Sequence, residues 1–124
     1  MSEAHDAFSV IVHMTVTGTV AGGHFIENTA GVISQGDGAR SAFGVLAQTE
    51  DAADGDTVPI CVMGPCKVLA NGTGAIAGGS YIASDASGHA VVDSTAGHRI
   101  MGMALEATST NGVFIEALIY PSLG

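Results

Sequence analysis

The 124-residue sequence has no tryptophan, two tyrosines, three prolines, two cysteines and three basic residues, and each scarcity excludes a class of protein. Arg40, Lys67 and Arg99 face twelve carboxylates, for a formal charge of -9. That is the wrong sign for gripping phosphate backbones or anionic lipid, so neither nucleic acid nor a membrane is an expected partner. Cys61 and Cys66 cannot build a disulfide framework or a four-ligand zinc site, and they read as buried thiols. Nothing approaches the roughly 18 uninterrupted apolar residues of a membrane helix. Met1-Ser2-Glu3-Ala4-His5-Asp6 carries no basic start and leads into no long apolar run, so it does not read as a secretory signal. A soluble chain made in a cytosol is expected.

What is present is small and apolar. Hydrophobic residues make up 47% of the chain, aromatics only 5%, and there are 18 glycines, so the core must come from Val, Ile, Leu and Ala between frequent turns. That composition predicts a β protein of one domain. Short β-branched or bulky apolar runs predict strands at Phe8–Met14, Ala42–Ala47, Thr57–Met63, Ile100–Glu106 and Val113–Tyr120. Shorter candidates are Phe25–Asn28, Val32–Ser34, Cys66–Ala70, Tyr81–Ser84 and Ala90–Val92. Turn pairs such as Asp54-Gly55, Asn71-Gly72, Ser87-Gly88 and Asn111-Gly112 separate them. No window of about 11 residues keeps helical periodicity, which leaves at most a helical turn near Gln48–Ala53. Pro59 cannot donate to a ladder and predicts an edge or a bulge in its strand.

The sequence is also self-similar. Val12–Ile26 lies over Val68–Ile82 at an offset of 56 positions, Gly22 falling on Gly78 (78 minus 22) and Phe25 on Tyr81. Phe43-Gly44-Val45 then falls on Met101-Gly102-Met103, and Thr57–Val62 on Val113–Leu118. An N-terminal arm, residues 1–9, is thus followed by a single β domain, residues 10–124. In it, repeat one runs from about residue 10 to 64 and repeat two from about 66 to 121. Halves of under about 60 residues are marginal alone, so a pseudo-twofold domain with a shared core is expected. Tyr81 is expected in the core position of Phe25.

Candidate chemistry is thin. The acidic run Glu50-Asp51-Ala52-Ala53-Asp54-Gly55-Asp56 has oxygen ligands for a hard cation but not the spacing of an EF-hand, and its counterpart Thr108-Ser109-Thr110-Asn111-Gly112 lacks the charges. A solvated hairpin loop is the expectation. His5, His13, His24, His89 and His98 are scattered without a ligand motif, and His13 is expected on a strand face. There is no G-x-S-x-G elbow, and Gly36-Asp37-Gly38 and Gly72-Thr73-Gly74 lack the rest of a phosphate loop. Neither catalytic residues nor a metal or other cofactor is expected. Arg40 and Arg99, near-equivalent in the two repeats, are expected to pair within the chain or at an interface.

Ala75-Ile76-Ala77-Gly78-Gly79-Ser80-Tyr81-Ile82, Ser84-Asp85-Ala86-Ser87-Gly88-His89-Ala90-Val91 and Met101-Gly102-Met103-Ala104-Leu105-Glu106-Ala107 resemble the recurrent pattern of the capsid cement, or head decoration, proteins of tailed bacteriophages. Val20-Ala21-Gly22-Gly23, Gly44-Val45-Leu46-Ala47 and Thr57-Val58-Pro59-Ile60 are weaker counterparts in repeat one, whereas the first 20 residues show no family pattern. The resemblance implies a small barrel or β-tulip made in the host cytoplasm and carried on the outer surface of the head. It also implies a homotrimer on the shell that stabilises it by bridging major capsid subunits. The expected contacts lie where the repeats differ, in the arm Ser2, Glu3, Ala4, His5, Asp6, Ala7 and Phe8, in the loop residues Glu50, Asp51, Asp54 and Asp56 and at the ends of the chain, and also at Arg40. The alternative is a carbohydrate-binding or adhesive β module displayed on the virion, which the shortage of aromatic platforms disfavours. An enzyme or a tail subunit ranks below it.

Overall fold

The computed structural model describes residues 9–36, 42–71, 75–93 and 98–123. Among them the regular structure is all strand: β1 (Val10–Thr15), β2 (Phe25–Thr29), β3 (Val32–Gln35), β4 (Ala42–Leu46), β5 (Thr57–Ala70), β6 (Tyr81–Ser84), β7 (Ala90–Val92), β8 (Arg99–Ala104) and β9 (Val113–Leu123). The turn expected near Gln48–Ala53 is not helical; Ala52 instead forms a β-bridge with Val20.

Every strand read from the sequence is present, with one correction. Thr57–Met63 and Cys66–Ala70 are not separate strands but one 14-residue strand, β5, that runs through Gly64 and Pro65. Gly64 takes φ +101, a conformation open to glycine, so the strand bends there without ending. Pro59 is not at an edge either, because β5 has β1 on one side and β4 on the other. The Pro59 carbonyl accepts from the Ala47 N–H at 2.9 Å, one residue beyond the end of β4. Its missing donor therefore falls where the β4 ladder has already stopped.

The long strand serves two assemblies. Its first half pairs with β1 and β4, and the order continues through β2 to β3. Its second half pairs with β9, followed by β8, β6 and β7, and a parallel pairing of Ala70 with Ala90 joins β7 back to β5. That ring is a closed five-stranded barrel. In the first assembly the Thr17 N–H reaches the Ile33 carbonyl at 2.7 Å and links the ends of the strand series.

Alternation along the strands divides the apolar side chains between two clusters. Val16, Val20, Ile26, Ile33, Leu46, Ala52, Val58 and Ile60 fill the first assembly. Val68, Ala70, Ile76, Ile82, Ala90, Met101, Ala104, Ile115, Ala117 and Ile119 fill the second, and Phe25, Ala42, Val45 and Cys61 of the first assembly belong to this same cluster. The four bridging residues are wholly buried, so the joint is as dry as either interior. Burial of a side chain as large as Phe25 contributes about 1.5–3 kcal/mol.

Close backbone approach sets one glycine. Gly102 lies at φ +154 opposite Ile119, and a Cβ there would strike the Leu118 carbonyl. Its ladder counterpart Gly44, paired with Ile26 as Gly102 is with Ile82, is hemmed in by the Ile60 side chain and the Cys61 carbonyl.

Candidate functional site

The arm residues Ser2, Glu3, Ala4, His5, Asp6, Ala7 and Phe8, and Arg40, lie outside the described residues. Just after the arm, the Ser9 hydroxyl donates to the Pro65 carbonyl at 2.7 Å. The chain is thereby tied at the bend of β5 before β1 begins.

The acidic loop is exposed, but three of its carboxylates are engaged. Asp51 Oδ1 accepts from the Gly22 N–H at 3.0 Å, and Asp54 Oδ1 from the Gly18 N–H at 2.8 Å. Asp56 Oδ2 accepts from the Ala53 N–H at 2.9 Å within the loop. The Glu50 carbonyl receives Gln48 Nε2 at 3.0 Å. These bonds hold residues 48–56 against the 17–22 segment, so the loop is a shaped negative surface. Asp51 and Asp54 each spend an oxygen on a backbone N–H of the 17–22 segment, at Gly22 and Gly18.

Arg99 lies at the joint, where its guanidinium donates to the Ala42 carbonyl at 3.3 Å. The expected pairing is thus internal, and the acceptor is a backbone carbonyl of the other assembly rather than a carboxylate. The His24 and His89 rings meet with centroids 4.5 Å apart. His24 Nδ1 is 3.0 Å from the Gly22 carbonyl. His13 is exposed on β1 and paired with Pro59, as a strand-face histidine. His98 pairs with Asp93 at 2.8 Å. No group of three or more His, Cys, Asp or Glu among the described residues is placed to hold a metal ion.

Asp85 organises the β6–β7 turn. Burial pushes its carboxyl up, but hydrogen bonds from Asn71 Nδ2 and from the Ser87 and His89 N–H groups, with the His89 ring beside it, hold it below the ordinary carboxylate value. The thiols divide unequally. Cys61 is buried and Cys66 partly so, both are free, and the hydrogen bond between them with burial pushes the Cys66 thiol up.

Sequence reasoning missed an open groove of about 1010 Å³ whose apolar lining includes Ile11, Pro59, Pro65, Leu105 and Phe114. Lys67 and Glu116 face each other at 3.5 Å on its wall. Both are well exposed, so the ion pair contributes at most about 1 kcal/mol. The lining comes from five separate stretches of chain brought together by the bend in β5, and no local pattern signals it. Tyr81 was also misplaced: it is 49% exposed, whereas Phe25 is fully buried. Outward rows with the same pairing contain both residues, but only the Phe25 row has another part of the chain against it.

Comparison with known proteins gives these surfaces their context. No curated protein matches the sequence. Among solved structures, the head fiber gp8.5 N base of bacteriophage phi29 is similar in fold, with a TM-score of 0.68 over 90% of this chain and 94% of that one at 17% identity. The family model described as phage cement protein matches residues 5–119. The chain therefore belongs to the phage cement protein family, and its role is that of a capsid-associated decoration or cement protein.

Proposed function

We propose that the protein binds the outer surface of the phage head as a homotrimer and stabilises the shell by bridging neighbouring major capsid subunits. The observation that carries this reading is the family match across nearly the whole chain. The mechanism is mechanical and needs no catalysis. Packaged DNA presses capsid subunits apart, and a clamp that binds two or more of them adds binding free energy to the closed lattice alone. Each contact can be modest, because a multivalent clamp gains from effective concentration. Two features supply grip: the arm Ser2 to Phe8, which can add as a strand to a capsid edge, and the acidic surface of Glu50, Asp51, Asp54 and Asp56, which suits a basic capsid patch. Arg40 is a further contact in the same reading.

Co-sedimentation with empty heads of the phage that encodes the protein tests this. Binding to expanded shells, no binding to compact precursors, and a higher melting temperature of the decorated heads are expected. Equal binding to both shells without added stability would refute the cement role. Deleting residues 1–7 should lower occupancy, and unchanged occupancy would remove the arm from the mechanism.

A further inference from the structure

We infer that the open groove is the seat of the arm of the same chain, with the Phe8 ring covering its apolar lining while the protein is free. The cement reading says what the arm grips on the shell. This inference says where the arm rests before a shell is met, and it does not depend on that reading.

Groove and arm meet at one residue. Ser9 belongs to the lining, and its hydroxyl is tied at 2.7 Å to the carbonyl of Pro65, which lines the groove as well. Ile11, two residues further on, is also in the lining. The start of β1 therefore runs along the groove, and the eight residues before Ser9 set out from inside it. Fully extended, eight residues span at most about 29 Å. The groove holds about 1010 Å³, the upper end of the range for clefts that enclose small ligands. Length does not keep the arm from filling it.

Apolar cover is what the groove lacks. Leu105 is 50% exposed and Ile11 40%, and Pro65 and Phe114 are only half-buried. Its charged groups, by contrast, are already engaged with one another. Lys67 pairs with Glu116 at 3.5 Å, and Glu106 Oε1 accepts from the Glu116 N–H at 2.6 Å. An occupant thus gains most by bringing apolar surface. The arm carries that surface at the right end, since Ala7 and Phe8 directly precede the tied Ser9 and the ionisable Glu3, His5 and Asp6 stand further out.

The same chain is favoured over a second copy for two reasons. Attachment at Ser9 makes the encounter intramolecular, at an effective concentration of order millimolar. A second copy, with its own net charge of -9, has to approach against mutual repulsion.

Phe8→Trp supplies a reporter, because the chain has no tryptophan of its own. In the purified full chain its emission should be blue-shifted from that of the same protein unfolded in urea, and acrylamide should quench it several-fold less steeply. Leu105→Lys and Ile11→Lys each place a charge in the lining at an exposed position, on separate stretches of chain. Either should return both readings to the unfolded values with an unchanged far-ultraviolet spectrum. Val92→Lys, comparably exposed on β7 and outside the lining, should leave them shifted. An unshifted indole in the folded chain, or a shift that survives both groove substitutions, overturns the inference. A shift that fades on dilution assigns the cover to the arm of a second copy and overturns it too. The measurement contains no shell, so failure of head binding would refute the cement reading and leave this result standing.

Discussion

The Phe25 N–H donates to the Gly88 carbonyl at 2.8 Å, which fixes a fully buried ring at the joint of two strand assemblies. Removing the ring leaves a cavity bounded by residues of both assemblies, and Phe→Ala in such a setting costs about 3–5 kcal/mol. Phe25→Ala should therefore lower the unfolding free energy by that much in urea titration. Tyr81→Ala, at the matching but half-exposed position, should cost about 1 kcal/mol or less when measured on dilute monomer.

Gly102 supports a sharper contrast. A side chain there meets the Leu118 carbonyl and a φ of +154, whereas Gly112, at φ +80 in the β8–β9 turn, has open space around its Cβ position. Backbone cannot yield as a flexible side chain can. Gly102→Ala is expected to cost more than about 3 kcal/mol or to abolish soluble expression, and Gly112→Ala about 1 kcal/mol. Comparison of the two melting temperatures checks this directly.

The same residues show how far the sequence could be read. Alternation of small apolar residues between glycine turns was enough to locate all the strands, because strand period and turn chemistry are local. Continuity of β5 was hidden, since Gly64-Pro65 looks like a stop and only pairing on both sides shows that the chain passes through. Tyr81 was misread for a related reason. Pattern places a residue on a face of a strand, but whether another part of the fold covers that face is a tertiary fact. The engagement of Asp51 and Asp54 with Gly22 and Gly18 was equally out of reach, because the partners lie 29 and 36 positions away.

Those two carboxylates lead to a third expectation. Asp54 satisfies the N–H of exposed Gly18 and Asp51 that of buried Gly22, and a bond of this kind contributes about 0.5–1.5 kcal/mol. Asp51→Ala and Asp54→Ala together should destabilise the fold by about 1–3 kcal/mol. They should also raise hydrogen exchange at the Gly18 and Gly22 amides above that at neighbouring positions. A Glu50→Ala change removes charge without removing a bond of the Glu50 carboxylate shown here, since that residue contributes its backbone carbonyl, and should leave exchange unchanged.

Asp85 gives a pH dependence with a defined sign. Burial opposes its ionisation, but the Asn71 amide and the Ser87 and His89 N–H groups favour the carboxylate and the net value is lowered. A carboxylate lowered in the folded state adds stability that is fully present above its unfolded value, near about 3.9, and is lost as pH falls through the lower folded value. Asp85→Asn should therefore be less stable than wild type at pH 7. The gap should stay constant down to about pH 5 and narrow below about pH 4, where the wild-type carboxyl takes up its proton. The β6–β7 turn held by Asp85 carries the Gly88 carbonyl that accepts the Phe25 N–H, so the loss should appear as well in hydrogen exchange at the Phe25 amide. Denaturant titrations of both proteins between pH 2.5 and pH 7 measure the gap, and a gap that widens with acid would show that Asp85 titrates above its ordinary value instead.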